Sequence, residues 1–183
     1  LVIKQVLGNE QVTWYYVVSL IGKTLVLLIA PINTIVISYL TKRKELLTRS
    51  QFGKAVLAGG GVSLVFFLAC QVGTPLFVWL FYRNLYDSVK GLVTVVNLAQ
   101  ILGLFSAFLF ILVLTFTDEK WQLWIQLAHF AVLLVTSVLA ARAYGMIGFA
   151  WASLGANSLR VAAVIILGLV KAGKDKGGSN ADW

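Results

Sequence analysis

Charge is the scarcest commodity in this sequence. Asp, Glu, Lys and Arg together make up 12% of its 183 residues, about half of the roughly 25% usual in soluble domains. Hydrophobic residues account for 60%, and the mean hydropathy is +0.89. That balance excludes an ordinary soluble domain and points to a polytopic membrane protein. There is one cysteine, Cys70, set in the apolar run LVFFLACQV. It excludes an internal disulfide and a cysteine-based zinc cluster, and it reads as a buried, inert thiol. There is one histidine, His129, without companions for a catalytic triad or a proton relay. AGGGVS lacks the GK[ST] ending of a phosphate loop. Covalent catalysis, a metal and a cofactor are therefore not expected.

Acidic residues are few and peripheral. The seven (Glu10, Glu45, Asp87, Asp118, Glu119, Asp175 and Asp182) fall in loops, helix ends or the tail. A cation exporter would place an acid in its cavity, so their positions favour an anionic cargo. The net charge is +8, but the basic residues lie in short loops between apolar runs. That is the signature of topology in a membrane and not of nucleic-acid binding.

What remains is long apolar runs. The stretch from Trp14 to Lys54 is taken as the organiser of the chain: an apolar run with an aromatic anchor (Trp14, Tyr15, Tyr16), then the basic segment TKRKELLTRSQFGK. Spanning takes roughly 20 apolar residues, and spans are expected over about 14–40, 55–81, 91–116, 121–141 and 146–170. The fold class is thus an all-α integral membrane bundle of about five helices. Residues 1–13 read as the end of a preceding helix and a turn, with Gly8 and Asn9 supplying the break. Residues 171–183 read as a disordered tail. The opening LVIKQVLG has neither Met nor a signal peptide, so a longer protein with an N-terminal portion is expected.

Positive charge sets the orientation. Lys42, Arg43, Lys44, Arg49, Lys54, Lys120, Lys171, Lys174 and Lys176 fall on one side, and Lys4, Arg83, Lys90 and Arg142 on the other. The richer side is assigned to the cytoplasm, leaving the N-terminal end outside and the tail inside.

Two cations fall within spans. Lys23 lies nine residues past Trp14, roughly 13 Å along a helix, deep for snorkelling; a buried charge of this kind is a functional-site hypothesis by default. Arg160 lies in the last span beside Asn157, and a clamp on helix ends or on Asn157 is the favoured reading over a phosphate fork. Pro31 and Pro75 should kink their helices. Gln71, Asn97 and Gln100 read as bridges between helices, and Gly59–Gly61 as close packing or, second, a hinge.

In order along the chain, LGNEQVTWYYVV, LIAPINTIVISYLTKRKE, LFYRNLYDSVKGLVTVVNLAQILG and AYGMIGFAWASLGANSLR resemble the C-terminal half of polysaccharide-biosynthesis flippases. These belong to the superfamily that also holds multidrug-and-toxin-extrusion transporters and lipid II flippases. The resemblance covers about residues 1–170 and rests on order and spacing. It implies half of a twelve-helix, two-lobe transporter in the plasma (inner) membrane. Such a transporter moves an undecaprenyl-pyrophosphate-linked sugar unit, an anionic lipid-linked glycan, by alternating access. Its partners would be the bilayer and the missing N-terminal bundle. Lys23 and Arg160 would then line the cavity as cations for the pyrophosphate, and Pro31 would act as a hinge. A drug or metabolite exporter of the same superfamily and a non-transporting scaffold subunit are the alternatives.

Overall fold

The computed structural model describes residues 2–42 and 47–172; for Val2, Ile3 and most positions from 28 to 42 it describes the backbone alone. Among the described residues the chain is helical and has no strand. The helices are α1 (Val2–Lys42), α2 (Arg49–Phe81), α3 (Tyr86–Val89), α4 (Val93–Leu114) and α5 (Glu119–Lys171). Short 3-10 turns at Arg83–Leu85 and Lys90–Leu92 flank α3. Three stretches, Arg49–Phe81, Arg83–Leu114 and Glu119–Lys171, are long and apolar enough to cross a membrane. The expected count was about five. Two of the expected spans, 121–141 and 146–170, fall together within α5.

Each long boundary has a local cause. Thr48 begins α2 with a capping box: its hydroxyl accepts from the Gln51 amide at 3.3 Å, and its own amide donates to Gln51 Oε1 at 2.9 Å. Two orphan donors are satisfied at once. α5 is 53 residues long, roughly 80 Å at 1.5 Å per residue, against a hydrocarbon core of about 30 Å. It breaks at Gly145, where φ is 64° and ψ is −147°, a region almost closed to residues with a Cβ. The break leaves arms 119–144 and 146–171 side by side. α1 has a similar break at Gly8, with φ 78° and ψ 174°. Pro75 lies inside α2, which continues to Phe81. Pro31 lies in α1, and its side chain is outside the described residues, as is the segment 173–183 expected to be a disordered tail.

The packing is organised around α4, and not around the run that opens at Trp14. α4 touches α5 most extensively and also α1 and α2; Val96, Leu109 and Val113 are fully buried. Apolarity alone does not place it there; α4 also carries Asn97 and Ser106, both fully buried, and polar side chains among apolar helices are met by neighbouring helices. The outer helices are equally apolar but face outward: half of the apolar window of α4 is buried (50%), against 6% in α2 and 6% in α5. Leu57, Leu64, Leu68, Val72 and Leu76 of α2 are all exposed. In water a patch of that size would be a liability; against lipid tails it costs nothing.

Two apolar clusters form. One gathers Val17, Val18, Val78, Val89, Val96 and Phe149. The other gathers Phe52, Leu109, Val113, Phe116 and Val164. In the second, the Phe52 ring stands edge-on to Phe116 at 5.7 Å and occupies the space where Gly168 would carry a Cβ. Phe52 is fully buried, so its ring has no free direction in which to yield. Gly168→Ala should therefore destabilise the bundle by about 1–2 kcal/mol through overpacking, readable as a lowered melting temperature in detergent; an unchanged melt would contradict this contact.

Candidate functional site

Between the two clusters, along α4 and α5, lie Gln100, Gly103, Asn157 and Arg160. Asn157 Nδ2 donates to the Ala99 carbonyl at 2.9 Å, and Arg160 Nη2 donates to the Gly103 carbonyl at 3.0 Å. The two acceptors lie one turn apart on α4, so the pair straps the second arm of α5 to the central helix. The sequence places a clamp on helix ends or on Asn157; the Arg160 fork instead meets a mid-helix carbonyl with this Nη, while its Nε is shut from solvent without a partner. His129 Nε2, from the first arm, is likewise shut from solvent and unpartnered. His129 and Arg160 line one cavity of about 150 Å³ between the arms, together with Ile125, Ala128, Val132 and Ala156 among others. A buried donor left without an acceptor costs about 1–3 kcal/mol; both nitrogens lie beneath the apolar wall of the notch and not open to it.

One level away, Asn97 of α4 is fully buried. Its Nδ2 reaches the Cys70 carbonyl at 3.2 Å, Thr74 Oγ1 at 3.2 Å and Gln71 Oε1 at 3.3 Å. Gln71 Nε2 in turn donates to Thr94 Oγ1 at 2.8 Å. Pro75 has no N–H for the Gln71 carbonyl, and Asn97 braces that turn from the side. Gln71 and Asn97 are thus bridges between α2 and α4. Gln100 instead presses its amide against Gly22 of α1, where a Cβ would overlap it, and its Oε1 has no partner. Cys70 is buried and free.

Lys23 lies apart from this group. Its side chain is exposed on α1, and its ammonium stands 4.6 Å from the centroid of the Tyr16 ring, a cation–π arrangement. Tyr16 is seven residues earlier, roughly 10 Å along the helix. Side chains tilt toward the helix N-terminus, and this one follows that direction toward the aromatic band. A lysine stem spans about one helical turn, so the charge lies between the level of its own Cα and that of Tyr16, whose ring meets it part-way. Lys23 and Arg160 share no partner: one rests on a ring of α1, the other on a carbonyl of α4.

Lys90 pairs with Asp87 at 2.9 Å on the exposed connection between α2 and α4. The glycines of α2 divide: Gly59 lies against the Phe105 and Phe108 rings, whereas Gly61 faces open space. A largely apolar groove of about 320 Å³, with Ser63 among its lining residues, runs beside Gly59, between α1, α2 and α4.

The capping box at Thr48 and the polar notch at His129 were missed in the sequence. TRSQ carries the first signature openly. A seam of Gln122, His129 and Ser137 at helical spacing could have indicated the second. No family model, curated protein or solved structure matches this chain.

Proposed function

We propose that this chain is one helical lobe of a transporter that flips an undecaprenyl-pyrophosphate-linked polysaccharide repeat unit across the plasma membrane by alternating access. In this reading α1, α2, α4 and the two arms of α5 make five crossings, with the N-terminal end outside and the tail in the cytoplasm. A second bundle completes the cavity, since alternating access rocks one lobe against another around a shared site.

The observation that carries the proposal is the Lys23 ammonium. It is exposed on an apolar helix and rests on an aromatic ring, with its three N–H donors unspent on protein acceptors among the described residues. Among the described residues the acids lie near helix breaks, helix ends and connections, so an arriving phosphate meets little repulsion. A position displaced toward the aromatic band suits the outer half of the cavity, from which a headgroup would be handed to the outer leaflet. Arg160, held to Gly103, is secondary in this role.

Lys23→Ala in the complete protein should lower export of the lipid-linked glycan roughly tenfold. A charge-assisted hydrogen bond is worth about 1.5–3 kcal/mol, and tenfold corresponds to about 1.4 kcal/mol. The amount of folded protein in the membrane should not change. Export at the original rate would sink the assignment of Lys23.

A further inference from the structure

We infer that the groove between α1, α2 and α4 holds one acyl chain of an anionic membrane phospholipid, with Lys54 at its mouth to meet the phosphate. The groove has a volume of about 320 Å³, and Ser63 is the one polar side chain among the residues that line it. Ala58, Val62 and Phe66 form its α2 wall, Phe105 and Phe108 its α4 wall, and Ile29 bounds it from α1. Both rings lie against Gly59, where a Cβ would crowd them, so ring and backbone close the floor. An apolar space of this kind does not hold water, and left empty it would cost its lining the contacts on one side. Hydrocarbon fills it without either loss.

The two ends of the groove differ. Past Phe66, Asn97 ties α4 to the Cys70 carbonyl and to Thr74 of α2, which shuts that end. In the other direction Phe66, Val62 and Ala58 continue at four-residue spacing to Lys54 and Ser50, so all five share one face of α2. Lys54 and Ser50 are exposed. The ion pair among the described residues joins Lys90 to Asp87, which leaves the Lys54 ammonium without a counter-charge there. Helical side chains tilt toward the N-terminus, and this tilt carries the ammonium away from the groove and toward the membrane surface. Ala58 to Phe66 covers roughly 12 Å of helix, and a chain lying along it places its headgroup at Lys54. A transmembrane helix does not fit: it is about 10–12 Å across, so the same length of one would fill roughly three times this volume. Charge selects the headgroup. A lysine near the surface favours an anionic lipid, whereas a zwitterion carries its own cation beside the phosphate. The site does not depend on what the protein transports.

The test uses the purified native protein in phosphatidylcholine vesicles. The probes are phosphatidylglycerol and phosphatidylcholine, each with a photoreactive group midway along one acyl chain and each added in trace amount. Cross-linked residues are mapped by mass spectrometry. The phosphatidylglycerol probe should label Ala58, Val62 and Phe66 above Leu57, Leu64 and Leu68, which are exposed elsewhere on the same helix. It should label the groove roughly fivefold more than the phosphatidylcholine probe does. Lys54→Gln should remove that headgroup preference, and Ala58→Phe, which fills the groove, should abolish the excess labelling. Uniform labelling around α2, the mark of an ordinary lipid annulus, overturns the inference, as does equal labelling by the two probes. So does a preference that survives Lys54→Gln. Displacement of the probe by a polyprenyl phosphate but not by unlabelled phosphatidylglycerol would also overturn it, by assigning the groove to a cargo tail. The comparison of the two probes on the unsubstituted protein holds whether or not a variant folds.

Discussion

Replacing Gly148 with alanine should cost about 3 kcal/mol, the upper end of what overpacking usually costs. A Cβ there would overlap the Ala140 carbonyl and stand 2.8 Å from Tyr144 Cβ. The first obstacle is backbone of the other arm, which cannot rotate away as a side chain can. Gly148 is the point at which the arms of α5 come close after the Gly145 turn, so separating them would disturb the straps at Asn157 and Arg160 as well. Gly155 supplies the control. It lies in the same arm with open space around it, and alanine there should be neutral or stabilising by about 0.5–1 kcal/mol through helix propensity. Denaturant unfolding in detergent, followed by tryptophan fluorescence, would compare the two. Equal effects would mean that the arms do not meet at Gly148.

Asn97→Leu should cost about 2 kcal/mol. Single side-chain hydrogen bonds between membrane helices average about 0.6 kcal/mol, and Asn97 holds three acceptors on α2. The leucine would also leave the Thr74 hydroxyl, itself fully buried, without its partner. Asn97→Asp should be worse, because a carboxylate would face the Cys70 carbonyl and Gln71 Oε1 with acceptors only, or a proton would have to be taken up. Gln71→Leu, at a less enclosed position, should cost about 0.6 kcal/mol or less. A double-mutant cycle between Thr74→Val and Asn97→Leu reads the pair directly. Strict additivity would show that the Thr74–Asn97 contact contributes nothing.

How much of this was legible in the sequence differs from feature to feature. Apolar runs and aromatic anchors announce long helices because backbone groups in lipid must be satisfied within the segment. LGNEQ and AYGMIG mark the two breaks, since Gly8 and Gly145 adopt positive φ. The centre was not legible. In a membrane, lipid-facing and protein-facing surfaces are equally apolar, so composition does not distinguish the buried α4 from the exposed α2. Asn97 offered a hint, because a polar side chain among apolar ones seeks a helix. The Lys23 charge is displaced from its expected depth for another reason: residue position fixes the Cα, whereas the ammonium reaches about one turn back, toward the Tyr16 ring. Arg160 finds neither a helix end nor Asn157, because the Gly103 carbonyl of the central helix lies within its reach.

The two breaks also meet. Gln11, just past Gly8, lends its Oε1 to the Met146 amide at 3.1 Å, a donor exposed by the turn at Gly145. The two residues are separated by 135 positions. At about 5–20 residues per second, a ribosome takes roughly 7–27 s to travel that far. During synthesis the Gln11 side chain therefore waits until the second arm of α5 is made. The bond joins the start of α1 to the turn of α5, so a helix order scrambled during folding would leave it open.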